Sequence, residues 1–210
     1  MSINSEIFMQ VVNSINPVTA IEIGVRHTDS GSLLIDYTNI KKLYGLDIKD
    51  CPDGRALEEK TNGRYEFIVG ESPQYSENFE DSYFDFIFID GSHSYESVMA
   101  DLKGWWPKLK DGGIMSGDDY IFFLNPHEGK YGVVEAVEEF AFGLQLAVHV
   151  GFGEKVTVDP MKKHAIATEI GGEYEKMSVP LSISSFSQPL SAKHLYRRFY
   201  SSPPTWWMHK

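Results

Sequence analysis

Cysteine is almost absent: Cys51 stands alone among 210 residues. That excludes an internal disulfide and a cysteine-based metal site, and it fits a reducing, cytoplasmic compartment. No stretch approaches the roughly 18 consecutive apolar residues of a membrane span, so no membrane partner is expected. The opening "MSINSEIFMQVV" lacks a basic patch followed by an apolar block and does not read as a signal peptide. Positive charge is scarce: 19 Lys/Arg face 30 Asp/Glu, for a formal net charge of −11. The acid excess lies in residues 1–170, whereas 171–210 hold five Lys/Arg against two Asp/Glu. A body of this sign repels a phosphate backbone, which argues against nucleic acid as a ligand. Two glycine fingerprints are also missing. No G-x-G-x-x-G follows the first apolar run and no P-loop occurs, which disfavours a dinucleotide-dependent dehydrogenase.

What is present is a series of short apolar runs. "AIEIGV" (20–25), "KLYGLDI" (42–48), "YEFIVGE" (65–71), "FDFIFID" (84–90) and "GGIMSGDDY" (112–120) read as strands covered on both faces. Helical segments lie between them. Val98, Leu102, Trp105 and Leu109 share one helical face, Ser92 or Ser94 is placed to cap it, Glu96 suits its first turn, and "DGG" at 111–113 is expected to end it. "VVEAVEEFAF" (133–142) is a second amphipathic helix, followed by β-like "LQLAVHV" and "HAIATEI". The alternation predicts an α/β fold: a doubly wound, mostly parallel, seven-stranded Rossmann-like sheet with helices on both faces. After Gly171-Gly172 the texture turns to Ser, Pro and aromatics. We expect one domain over 1–170 and a C-terminal appendage over 171–210 that covers an acceptor or builds an oligomer contact.

Ligands of open α/β sheets bind beyond the strand C-termini, where strand order reverses. Here those ends carry Glu22 and Gly24, Asp47, Glu71-Ser72, Asp90 and Asp118-Asp119. Acids at five consecutive strand ends imply a ligand with hydroxyls, amines or positive charge, or a metal ion. The turn "EIGVRHTDSGS" sets a glycine beside an acid and suits a ligand with an amino acid head and a nucleoside tail. Asp47 is placed for ribose, because one carboxylate accepts from two vicinal hydroxyls.

With "LYGLDI", "FIVGES", "FDFIFIDGSHSYESVMADLKGWWPKLKDGGIMSGDDY" and "YGVVEAVEEF", the sequence resembles a class I S-adenosylmethionine-dependent methyltransferase. It is most similar to the metal-dependent sugar and small-molecule O-methyltransferases of the macrocin, mycinamicin and aminocoumarin-sugar type. The resemblance covers about 20–142, and its first turn is longer than the usual E-x-G-x-x-x-G-x-S. It implies S-adenosylmethionine as cofactor, with Glu22 and Gly24 at the methionyl moiety, Ser32 in the long turn, Asp47 at the ribose, Glu71 and Ser72 at the adenine edge, and Asp90 where cofactor and acceptor meet. It also implies a divalent cation, Mg²⁺ or Mn²⁺, on Asp90, Asp118 and Asp119; carboxylate oxygens favour such hard ions. Adjacent Asp118 and Asp119 can both contribute only if the strand ends there. His93, three residues after Asp90, is the expected general base.

The expected activity is methyl transfer to a hydroxyl of a sugar or glycan. A catechol-type acceptor is the nearest alternative, and a catalytically silent binding module is the alternative of another class. Plainer roles exist for each residue: Asp90 as a helix cap, Asp118-Asp119 as a solvated loop, His93 as a structural or substrate-binding side chain. The partners expected are a hydroxylated small molecule or glycan, a second copy in a homodimer, and the remainder of a longer glycan-processing protein.

Overall fold

The computed structural model describes residues 3–120, 124–125, 129–151, 155–159, 164–167, 178–180 and 205–210. Helix α1 (Ile3–Ser14) leads into β1 (Thr19–Ile23), α2 (Asp29–Tyr37), β2 (Lys42–Asp47), α3 (Pro52–Lys60), β3 (Tyr65–Val69), α4 (Ser72–Tyr75), β4 (Phe84–Ile89), α5 (Tyr95–Trp105) and β5 (Leu109–Gly117). A small hairpin, β6 (Leu124–Asn125) with β7 (Gly129–Lys130), precedes α6 (Val133–Leu144). Then come β8 (Val148–Gly151), β9 (Lys155–Asp159), β10 (His164–Ala167), β11 (Ser178–Pro180) and β12 (Thr205–His209). The chain divides into two compact units, one of residues 9–92, 100–116 and 209–210, the other of residues 1–8, 93–99 and 117–208.

In the first unit the strand order is β3-β2-β1-β4-β5. Strand β1 pairs in parallel with β2 and with β4, and β2 pairs in parallel with β3. The β-branched and aromatic runs pack on both faces: Ile21, Ile23, Leu43, Leu46, Phe84, Phe86 and Ile87 are all buried. The chain moves outward from β1 through β2 to β3, then returns to β4 on the other side of β1. The order therefore reverses at the β1/β4 junction, which places a ligand crevice at their C-terminal ends. Asp85 fastens the opposite end. Its Oδ2 accepts from the backbone N–H groups of Val18 (2.9 Å) and Thr19 (2.8 Å), and its Oδ1 from Lys110 Nζ (2.7 Å).

In the second unit β8 pairs antiparallel with β12 and with β9, β9 with β10, and β10 with β11. Counted over both units, β1–β5, β8 and β12 give the seven strands of a mostly parallel, Rossmann-like α/β fold. Among the described residues no helix is long and apolar enough to cross a membrane.

Several local expectations are corrected. Asp111–Gly113 do not end a helix; they lie inside β5. Pro107 lacks the N–H that an α-helix interior needs, so α5 gives way after Trp105 to a 3-10 turn (Trp106–Lys108), and Leu109 is buried as the first residue of a strand. Val98, Leu102 and Trp105 do form the buried face of α5, and Ser94 caps it by accepting the Ser97 N–H (3.2 Å). "LQLAVHV" yields only β8 from Val148 onward. Helix α6 runs on to Leu144, and Gln145 closes it in the left-handed conformation (φ 58°). Strand β9 was not anticipated. Neither was β12, whose Trp206 and Met208 are buried. The proposed domain boundary at 171 lies outside the described residues.

Candidate functional site

The first unit builds the turn after β1 from a close approach that only glycine permits. Gly24 sits at φ 90°, and a Cβ there would lie 2.2 Å from the Asp90 carbonyl oxygen. The Gly24 N–H donates to Leu46 O (2.8 Å), and the Asp90 N–H to Ile23 O (2.7 Å). These contacts draw the C-terminal ends of β1, β2 and β4 together and bring the backbone of Asp90 against Gly24.

Glu22, two residues earlier, is 1 % exposed. Ser30 Oγ donates to its Oε1, whereas Oε2 is buried without a partner. Burial pushes its carboxyl up to about 7; the Ser30 bond opposes this and the Asp29 charge adds to it. Gly31 leaves the space above it: a Cβ there would meet Glu22 Oε2 at 3.0 Å. The Tyr65 hydroxyl is likewise buried without a partner, and burial and then the nearby Glu22 charge push that phenol up. Ser32, the expected cofactor contact of the long turn, lies in α2. The long turn starts α2 at Asp29, so Ser30 occupies the first turn and meets the acid, while the Ser32 N–H is spent on Thr28 O (2.8 Å).

Asp47 ends β2 with both carboxylate oxygens oriented. Val25 N–H donates to Oδ2 and Lys49 N–H to Oδ1, each at 2.8 Å. Each oxygen keeps a lone pair for a further donor. Ile48, next in the chain, is 63 % exposed, an apolar side chain at the strand end. Glu71 is exposed at the N-cap of α4. The Ser72 hydroxyl donates to Asp101 Oδ1 (2.5 Å) and accepts from Trp105 Nε1 (2.9 Å), so it locks α4 to α5. Burial pushes the Asp101 carboxyl up to about 6 despite that bond.

The second unit gathers His93, Asp118 and Asp119. Strand β5 ends at Gly117, and Asp119 has φ 55°, a left-handed conformation that Asp tolerates. The strand-end condition for two adjacent acids is therefore met. His93 Nε2 lies 2.8 Å from Asp119 Oδ2, and the imidazole stacks on Tyr131 at 4.4 Å between ring centroids. The His93 carbonyl accepts the Gly132 N–H (2.8 Å), which fixes the start of α6 beside it. Asp118 Oδ1 is buried without a partner. Burial and then the Asp119 charge push this carboxyl up to about 7, against the Asp119 N–H, His93 and the Thr205 hydroxyl. His93 and Asp119 together offer an imidazole nitrogen and a carboxylate oxygen, donors that fit a divalent cation. Asp90, three residues before His93, ends β4 in the first unit. Sequence reasoning missed Ser30, Tyr131 and Thr205; only the serine, beside the glycine of the turn, carried a local signal.

Residues 21–120 match a family described as a methyltransferase domain. Over 115 residues the chain is 30% identical to uncharacterized protein R132 of Acanthamoeba polyphaga mimivirus, covering 49% of this chain and 52% of that one. The chain thus spans about half the length of the curated relative it matches. Among solved structures it is similar to an S-adenosylmethionine-dependent methyltransferase from Archaeoglobus fulgidus (TM-score 0.56, 15% identity, 98% of this chain and 94% of that one). It is also similar to the 1,6-didemethyltoxoflavin-N1-methyltransferase of Burkholderia thailandensis, solved with 1,6-didemethyltoxoflavin and S-adenosylhomocysteine (TM-score 0.58, 12% identity, 99% and 76%). The fold is that of S-adenosylmethionine-dependent methyltransferases.

Proposed function

We propose that this protein is an S-adenosylmethionine-dependent O-methyltransferase that methylates a hydroxyl of a sugar or glycan, with a divalent cation and His93 as general base. The observation that carries the reading is the β1/β4 crevice. A glycine turn packed on the Asp90 backbone, a buried acid beneath it and an oriented Asp47 carboxylate suit a ligand that combines an amino acid head with a nucleoside. Asp47 would accept the ribose hydroxyls, and the exposed Ile48 would cover one face of a flat base. Glu22 would lie beneath the turn that holds the methionyl head.

Bound S-adenosylmethionine supplies a methyl already activated on a sulfonium. The chain must then position the acceptor and take its proton. A sugar hydroxyl is a weak acid, and a divalent ion lowers the pKa of an oxygen it touches. Asp90, Asp118 and Asp119 are the carboxylates proposed to hold that ion. His93 is the proposed proton acceptor, and Asp119, 2.8 Å from its Nε2, would orient the ring and stabilise its charged form. Because Asp119 serves both, imidazole and cation would share one carboxylate.

The test is a mass-spectrometric screen of free sugars, glycosides and catechols with S-adenosylmethionine. A methyl-sized gain on a sugar or glycoside, abolished by chelation and restored by Mg²⁺ or Mn²⁺, is the expected result. Gain on catechols alone replaces the acceptor class. Full activity after exhaustive chelation removes the cation from the mechanism.

A further inference from the structure

We propose that Asp101, on α5, is a positioning residue for the adenine end of the cofactor: acting through Ser72, it fixes the segment after β3 so that Glu71 accepts from the 6-amino group of the base. The inference rests on the reading of Glu71 as the acid at the adenine edge. All of its parts lie in the first unit. Two hydrogen bonds in series carry it. Trp105 Nε1 donates to Ser72 Oγ (2.9 Å), and Ser72 Oγ donates to Asp101 Oδ1 (2.5 Å). Trp105 and Asp101 are both buried. One hydroxyl is thereby held from two sides, as acceptor and as donor, one residue after Glu71.

The chain is also held on the near side of Glu71. The Gly70 N–H donates to the carbonyl of Asp47 (2.9 Å), the last residue of β2. Glu71 is thus fixed between two anchored neighbours while its own side chain is exposed. Its place follows the end of β2, where Asp47 is oriented. Helix α4 has four residues, too few to keep its geometry without tertiary contacts, so the anchor has to come from outside it. Packing alone would not select an acid for this task. Asp101 stands beside the buried Leu102 and Trp105, where an apolar side chain would carry no desolvation cost. Burial does push the carboxyl up to about 6, and the side chain that it serves is Ser72.

The experiment is calorimetry on the full chain with two ligands, thermal melts running in parallel. One ligand is S-adenosylhomocysteine. The other is its 6-deamino analogue, which has hydrogen in place of the amino group of the base. Wild type should prefer the amino form roughly 10–100-fold, the range for a hydrogen bond to a charged acceptor. Asp101→Leu and Ser72→Ala should each cut that preference to about threefold or less. Should Asp101→Leu fail to fold, Ser72→Ala carries the comparison. Asp101→Asn keeps an oxygen for the Ser72 hydroxyl and should stay within about threefold of the wild-type preference. Ile87→Val, a core change on β4, should lower the melting point and leave the preference unchanged. A wild-type preference in Ser72→Ala or in folded Asp101→Leu overturns the assignment. So does a loss in Asp101→Asn or Ile87→Val as large as in Ser72→Ala. Glu71→Ala tests the reading underneath: a preference that survives it shows that Glu71 does not read the base, and the role of Asp101 goes with it. A wild type that binds neither ligand removes the cofactor reading itself.

Discussion

Replacing Glu22 by Gln should make the ligand-free protein more stable at pH 8 and leave it nearly unchanged at pH 4. Burial raises the Glu22 carboxyl from 4.5 to about 7. The folded state therefore holds this proton more tightly than the unfolded chain does. The resulting stabilisation is fully present below about pH 4.5 and is lost as pH climbs from 4.5 through 7. A shift of about 2.5 units at about 1.4 kcal/mol each corresponds to about 3.5 kcal/mol. Gln keeps an oxygen for the Ser30 hydroxyl and never ionises, so the mutant escapes that loss. For a chain of this length the difference is roughly 7–14 °C in thermal midpoint at pH 8. Asp101 and Glu138 also titrate in this window, pushed by burial to about 6 and about 7. They do so in both proteins and cancel in the comparison. The assay is chemical or thermal denaturation at pH 4, 6 and 8. Parallel pH dependence of the two proteins would refute the reasoning, because it would mean that Glu22 is not titrating in that range.

Asp47→Ala should weaken S-adenosylhomocysteine by about 1–3 kcal/mol, roughly 5–150-fold in Kd, by leaving ribose hydroxyls without an acceptor; calorimetry reads it directly. Ser72→Ala should cost about 1–3 kcal/mol of stability, because Trp105 Nε1 loses its acceptor and Asp101 its donor, and equilibrium denaturation measures this. His93→Ala should lower kcat by about 10²–10⁴-fold while cofactor affinity holds; a wild-type kcat would assign the proton elsewhere.

The strand ends were legible in the sequence because two signals coincide there. An apolar run marks a strand buried on both faces, and the first acid after it marks where water or a ligand begins. Asp47 and Asp90 stand where that reasoning puts them. Asp111–Gly113 misled because Asp-Gly-Gly carries the same turn chemistry inside a strand as after a helix; Gly112 does adopt φ 81°, but within β5. The partners of the Ser72 hydroxyl were not legible, because position along the chain does not say which way a side chain points. Thr205 was invisible for a different reason. Its partner lies 87 positions upstream, and no local period reports a contact of that kind.

The chain shows elsewhere that it can satisfy a carboxylate. Asp85 is half-buried, and burial alone would raise it. Lys110, the N–H groups of Val18 and Thr19 and the Thr19 hydroxyl outweigh that cost, and the group ends below the usual carboxylate range. The other described Lys and Arg ion pairs go to Asp50, Glu58, Glu66 and Asp81. None goes to Glu22 or Asp118, each of which keeps a buried oxygen without a partner and a carboxyl raised to about 7. An orphaned buried acceptor costs about 1–3 kcal/mol, so folding leaves two such costs where a lysine would have removed them. Both are relieved by a ligand that brings positive charge. A sulfonium cofactor with an ammonium head suits the first, and a divalent cation suits the second. On the proposed reading, stability withheld from the ligand-free protein would be returned on binding as affinity.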